Sequence, residues 1–293
     1  EEFISLSLDF WKSPVTLQWV HGTMRFILRH SDLLSIESWQ DTLKASKTLS
    51  NLKKDRGWSN VTLNSHRKCM NTYFIFLKRF KYINENPIMD IIKMPEPAKN
   101  MPTLSLHDVK AILWHLMFRS NKSPIERFRN LLFIQIAVIT WARPKELLSI
   151  KADSISSDRK KICINGAKQK WKERFYDLSN QVQETLSSYF TEATRLWRYN
   201  ELSNNLFISM SNRNQWWTYR WVNKFCQRIS KEMKMNVSMY MFRRHAATEL
   251  FANSVSIQDI QIFMWHNRLA TTYRYNCNSS RNTKKCTDIL GKW

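Results

Sequence analysis

Four stretches of the chain carry side chains able to grip an anion. Arg143 closes the most apolar run, "LLFIQIAVITWA" (131–142), and stands three residues before Glu146. A guanidinium there is partly buried, so it needs an anion or a carboxylate partner; a simple Arg143–Glu146 pair at a helix junction meets the same need. "GAKQKWKERFYDL" (166–178) gathers Lys168, Lys170 and Lys172 at a turn, as a basic contact or as a solvated hairpin tip. In "MYMFRRHAATELF" (239–251), helical spacing lines up Phe242, Ala246 and Leu250, with Ala247 and Phe251 beside them. Arg243 then lies beside small Ala247 at the helix start, where backbone amides favour anions. Arg244 lies further round, toward solvent or a backbone phosphate, and His245 is a bystander. "DIQIFMWHNRLATTYRYN" (259–276) adds His266, Tyr273 and Tyr275. A histidine after Met264-Trp265 is either a capped core residue or part of a site, and the tyrosines either pack or react.

The elements that must position these residues follow from composition and periodicity. The 293 residues carry 46 Lys+Arg against 24 Asp+Glu, a net charge of +22 spread along the whole chain. That excess suits a polyanion, and its spread suits nucleic acid better than a localised membrane patch. Hydrophobic residues make up 43%, enough for a packed core, and only four glycines favour helices over turn-rich β architecture. The five cysteines (Cys69, Cys163, Cys226, Cys277, Cys286) are scattered without a CxxC pair. They fit reduced intracellular thiols and neither a disulfide framework nor a zinc cluster. The 131–142 run is too short for a membrane span and reads as a core helix; no signal peptide is evident.

The fold class expected is mainly α with a small antiparallel β-sheet. Residues 1–92 form a helical domain, with helices over 16–30, over "LLSIESWQDTLKASKTL" from a Ser35/Glu37 start, and over 62–81. The last turns Met70, Tyr73, Phe74, Phe76 and Leu77 inward and His66, Arg67, Lys68, Lys78, Arg79 and Lys81 outward. Four prolines in 16 residues (Pro87, Pro95, Pro97, Pro102) mark a domain boundary, with 93–104 as the linker. A second domain spans 105–293. Its first helix is capped by Thr103 or Ser105, a buried helix covers 127–142, and Arg143-Pro144 starts the next. A hairpin lies within 150–178, and helices resume from 180. Trp216, Trp217 and Trp221 belong to the core.

In their order and spacing the four stretches resemble the tyrosine recombinases, the phage-type integrases. "ARPKELLSIKADSI" matches the family's A-R-x-x-E-L, and "AKQKWKERFYDL" its hairpin lysine and K-x-R run. "YMFRRHAATEL" matches H-x-L-R-H-x-x-A-T-x-L, and "IQIFMWHNRLATTYRY" matches the final histidine-to-tyrosine motif. "GWSNVTLNSHRKCMNTYFIFLKRFKYINENP" looks like the family's core-binding domain, so the resemblance spans roughly residues 14–280. It implies an N-terminal core-binding domain and a larger catalytic domain forming a basic clamp around double-stranded DNA. It further implies cleavage and rejoining through a covalent 3′-phosphotyrosine. Arg143 and Arg243 would hold the phosphate, with Glu146 orienting Arg143 and Arg244 in support. Tyr275 would be the nucleophile and Lys168 the general acid, with Lys170 its rival. His266 would contact a non-bridging oxygen or assist the tyrosine. The A-T-x-L that follows selects Arg243 over Arg244, and the T-T spacing selects Tyr275 over Tyr273.

Tyr240 stands where the family keeps its first histidine, and Arg244 and Trp265 replace a usual histidine and glycine. Expected DNA contacts are Lys53, Lys54, Arg56, Arg67, Lys68, Lys78, Arg79, Arg213, Arg220 and Lys224. No metal or cofactor is implied, since the phosphotyrosine conserves bond energy. The partners implied are a homotetramer on two DNA sites and a directionality factor, in an intracellular setting. Residues 277–293 either dock on a neighbouring protomer or hang free. A hairpin telomere resolvase of the same chemistry and a catalytically silent DNA-binding regulator are the alternative readings.

Overall fold

The computed structural model describes residues 13–31, 37–39, 41–97, 102–119, 122–166, 169–196, 204–209, 217–264, 266 and 268–273, with only the backbone of 166 and 169–172. The chain packs as two units, Glu1–Asn100 and Met101–Trp293. Among the described residues no helix is long and apolar enough to cross a membrane.

The first unit is built from three helices: α1 (Pro14–Arg29), α2 (Thr42–Asp55) and α3 (Asn60–Arg79). Ser13 and Asp41 cap α1 and α2 by accepting backbone N–H groups in their first turns. The helix expected from Ser35/Glu37 instead divides. Glu37–Trp39 is a 3₁₀ turn, and α2 starts afresh behind Asp41, because an aspartate N-cap favours initiation there. Trp39 turns fully into the core against Phe74, with Leu17, Val20, Ile27 and Met70. Of the basic residues expected outside on α3, Lys68, Lys78 and Arg79 are exposed. His66 is not: its ring stacks on Trp58 at 4.3 Å and beside Phe26, and burial lowers its pKa. Arg67 donates its Nε–H to the Ile91 carbonyl.

The proline-rich stretch expected as a linker is tied down at both ends. Asn64 bonds Met94 and Glu96 while Asn60 reaches the Pro95 carbonyl, so 94–96 belong to the first unit. In the second unit, Arg244 and His245 bond the carbonyls of Pro102 and Leu104.

The second unit begins with α4 (Leu106–Trp114), capped by Ser105 and not Thr103: Ser105 and Asp108 satisfy each other's backbone N–H. A π-helical turn, His115–Arg119, follows. The central helix, α5 (Pro124–Thr140), is buried almost all round, starting three residues before the expected 127. It stops at Trp141, whose φ of 53° turns the chain out of the helix, and α6 (Pro144–Leu148) starts at once. Strands β1 (Lys161–Gly166) and β2 (Gln169–Asp177) pair antiparallel with Ile162 opposite Tyr176 and Ile164 opposite Arg174. The remaining helices are α7 (Asn180–Arg195), α8 (Tyr219–Glu232), α9 (Met239–Ala252), α10 (Ile257–Met264) and α11 (Leu269–Tyr273). Helix α8 buries Val222, Phe225, Cys226 and Ile229, which leaves Trp221 on its outer face with Lys224 over the ring. Trp221 is therefore not core, whereas Trp217 is.

Candidate active site

Glu146 is the hub of the site. Pro144 sets the first turn of α6 and places Glu146 at its third position, so its carboxylate folds back on Arg143. Oε2 accepts the Arg143 backbone N–H at 2.8 Å, and Oε1 accepts the Arg143 guanidinium at 2.9 Å. Arg174, reaching in from β2, donates to Oε2 at 2.9 Å. Burial pushes the Glu146 carboxyl pKa up, but the Arg143 amide and the Arg174 guanidinium more than offset this and hold it below the ordinary value. The carboxylate is 1% exposed and Arg174 4%, whereas Arg143 keeps a third of its side chain open. One carboxylate thus fixes two guanidiniums, and only Arg143 presents a face to solvent.

Arg243 enters from α9 and is 4% exposed. It donates to the Trp141 carbonyl and, at 2.9 Å, to the Met264 carbonyl. Backbone carbonyls orient a guanidinium without cancelling its charge. The left-handed turn at Trp141 aims that carbonyl at Arg243 and puts Arg143 two residues further on. Arg243 also faces His266 Nε2 at 3.2 Å, while His266 Nδ1 lies 2.9 Å from Thr272 Oγ1 on α11. A guanidinium can only donate, so Nε2 must accept and the ring proton sits on Nδ1, donated to Thr272. Burial, then the charges of Arg243 and Arg143, drive the His266 pKa down to about 4. The imidazole is neutral at physiological pH, its Nε2 lone pair accepting from Arg243.

Two arginines from different elements, both acting on one neutral histidine, make a cationic cradle for an oxyanion. The comparisons give that cradle a family. The phage integrase family model matches residues 105–281, more than half of the chain. The chain belongs to the phage integrase family. It is a tyrosine recombinase, a DNA strand-exchange enzyme. Among curated relatives, it is 24% identical over 280 residues to "Tyrosine recombinase XerA" of Thermococcus kodakarensis, covering 94% of this chain and 89% of that protein. It is 23% identical over 281 residues to "Tyrosine recombinase XerD" of Listeria monocytogenes, covering 94% and 92%. Among solved structures, the fold matches XerH recombinase bound to palindromic difH substrate with a TM-score of 0.68, at 20% identity over 86% of this chain and 72% of that one. A lambda integrase dimer bound to a COC′ core site also gives 0.68, at 16% identity over 94% and 92%.

Of the sequence-derived site residues, the recombinase fold brings Arg143, Glu146, Arg243 and His266 together. Lys168, Tyr275 and Arg213 lie outside the described residues, as do Trp216 and Trp265. Lys170 sits in β2, of which the backbone is described there. Tyr240 is half exposed on α9. Arg244 bonds the Pro102 carbonyl, so its described contact secures the start of the second unit. His245 is buried against the Leu104 carbonyl, a structural part. Among the expected DNA contacts, Lys54, Lys68, Lys78, Arg79, Arg220 and Lys224 are exposed. Lys53 bonds Asn60 at 2.6 Å, and Arg56 covers the Phe26 ring.

Arg174, Tyr176, Trp141 and Thr272 escaped the sequence reading as site residues. The alternation along β2 held a signal for two of them. Arg174, Tyr176 and Leu178 are buried, while Glu173, Phe175 and Asp177 are exposed. An arginine on the buried face of a strand needs a carboxylate. Glu146 was the available one.

Proposed function

We propose that this recombinase cleaves and rejoins double-stranded DNA at a specific site through a covalent 3′-phosphotyrosine. The convergence of Arg143 and Arg243 on neutral His266, from elements a hundred residues apart, carries this reading. Arg143, held open by Glu146, and Arg243, held by two carbonyls, neutralise the non-bridging oxygens as charge builds during attack. The Tyr275 hydroxyl oxygen attacks phosphorus and the bond to the 5′-oxygen breaks. Lys168, or Lys170 beside it, gives that oxygen a proton and releases a 5′-hydroxyl. His266 contacts a non-bridging oxygen or, once Arg243 turns to the phosphate and frees the Nε2 lone pair, assists the tyrosine. Tyr240 offers a phenol where relatives keep a histidine, able to donate to phosphate but a poor base near neutral pH. Rejoining reverses these steps, so neither metal nor nucleotide cofactor is needed.

Supporting DNA contacts are assigned to the exposed cations named above. A homotetramer on two DNA sites, a directionality factor and an intracellular location complete the proposal. The three described cysteines, Cys69, Cys163 and Cys226, are free thiols, which is compatible with a reducing compartment.

The test begins with DNA trapped covalently on the protein by detergent, whose sequence identifies the site. A duplex of that sequence, nicked near the cleavage point, is then a suicide substrate. Wild type should become attached to it, and Tyr275→Phe should not. Adduct with Tyr275→Phe would assign the nucleophile elsewhere; no adduct with wild type would leave the silent-regulator reading. Hairpin products from a replicated-telomere substrate would mark a resolvase.

A further inference from the structure

Tyr176 is nine-tenths buried on the inner face of β2, between Arg174 and Leu178. Its ring packs edge-on against Phe263 of α10 at 5.6 Å. Its hydroxyl is buried beside the Arg174 guanidinium, which can donate to the phenol oxygen but cannot take its proton. Burial raises the phenol pKa, and the neighbouring guanidiniums of Arg174 and Arg243 pull it part of the way back. The group is therefore an intact O–H at neutral pH, and its proton needs an acceptor. Arg174 and Arg243 have none to offer, because guanidinium nitrogens only donate. Glu146 is already engaged: Oε1 takes Arg143, and Oε2 takes the Arg143 amide and Arg174. A phenylalanine would fill the same space without burying an unsatisfied donor, so the hydroxyl is a cost to the resting fold.

We propose that the Tyr176 hydroxyl donates to a non-bridging oxygen of the scissile phosphodiester, a third contact beside Arg143 and Arg243. This rests on the recombinase reading above and adds a substrate-touching residue to it. A phosphate oxygen seated between the guanidiniums supplies the acceptor that the resting protein lacks. Its negative charge makes the bond a strong one, formed as the oxyanion develops. The ring's packing on Phe263 fixes where the donor points.

Tyr176→Phe, in the full chain, tests this on the nicked duplex described above. Its melting temperature should be unchanged or higher, and its affinity for the intact duplex unchanged. Its rate of covalent attachment should fall about 10- to 100-fold, the usual worth of one hydrogen bond to a charged oxygen. The decisive readout uses duplexes with a methylphosphonate of defined stereochemistry at the scissile position. On the isomer whose methyl replaces the contacted oxygen, wild type and Tyr176→Phe should react at the same rate; on the other isomer the difference should persist. Wild-type rates from Tyr176→Phe on the phosphate, or an equal loss on phosphate and both isomers, overturn the assignment. A wild-type protein that forms no adduct overturns the recombinase reading and this inference together.

Discussion

His266 sits in the second unit as a neutral acceptor pressed against a guanidinium, and this ties the fold to pH. Its folded pKa is about 4, against an ordinary value of 6.5. Above 6.5 the ring is neutral in both states and contributes no pH dependence. As pH falls from 6.5 toward 4, the unfolded chain takes up a proton that the folded site refuses, so stability declines through that window. His66, lowered by burial in the first unit, acts with the same sign. Melting temperatures recorded from pH 7 to 4.5 should therefore fall for wild type and fall less steeply for His266→Gln. Identical slopes would mean that burial and the neighbouring guanidiniums do not hold His266 neutral. Glu146 follows at lower pH: its depressed pKa keeps it ionised until the medium is more acidic than an ordinary glutamate requires.

At the scale of elements, the turn between α5 and α6 decides where both arginines point. Trp141 occupies left-handed space, which a non-glycine residue enters at a cost of about 1 kcal/mol. Its ring is buried and meets Phe263 edge-on at 4.5 Å. Trp141→Gly relieves the backbone but forfeits the ring, worth about 3–5 kcal/mol in a core. Packing wins, and a net loss of about 2–4 kcal/mol should appear in urea denaturation; a gain would show that the turn is set by strain alone. This junction was only half legible. The Arg143–Glu146 spacing across Pro144 is local, so the pair could be read from sequence. The positive φ was invisible because no glycine marks it. Arg174 lies 28 residues from Glu146, and strand alternation alone hinted at its inward turn. Most helices were legible because apolar periodicity and caps are local; α2 was mis-started because Trp39 packs by tertiary contact with Phe74. His66 was misplaced for the same reason, its partners Trp58 and Phe26 standing on other segments.

For the molecule as a whole, a net charge of +22 overstates the cations available to DNA. Arg129 is buried against Trp217 at 4.4 Å, and burial lowers its pKa to about 10; Arg174 is equally inside, paired with Glu146. Arg67, expected as a phosphate contact, spends its Nε–H on the Ile91 carbonyl. Lys68 and Lys78, on the same helix, are exposed. Binding to any duplex should weaken steeply with salt, by a logarithmic slope of about −0.9 per phosphate neutralised. The helix then separates two kinds of cation. Lys68→Ala and Lys78→Ala should each shallow the slope by about one, measured by anisotropy of a labelled random duplex across a salt series, without moving the melting temperature. Arg67→Ala should lower the melting temperature of the first unit, because it leaves a carbonyl without its donor. If Arg67→Ala shallows the slope as the lysines do and melts like wild type, its bond to Ile91 yields to phosphate when DNA arrives. The helix would then present four cations, Arg67 with Lys68, Lys78 and Arg79, rather than three.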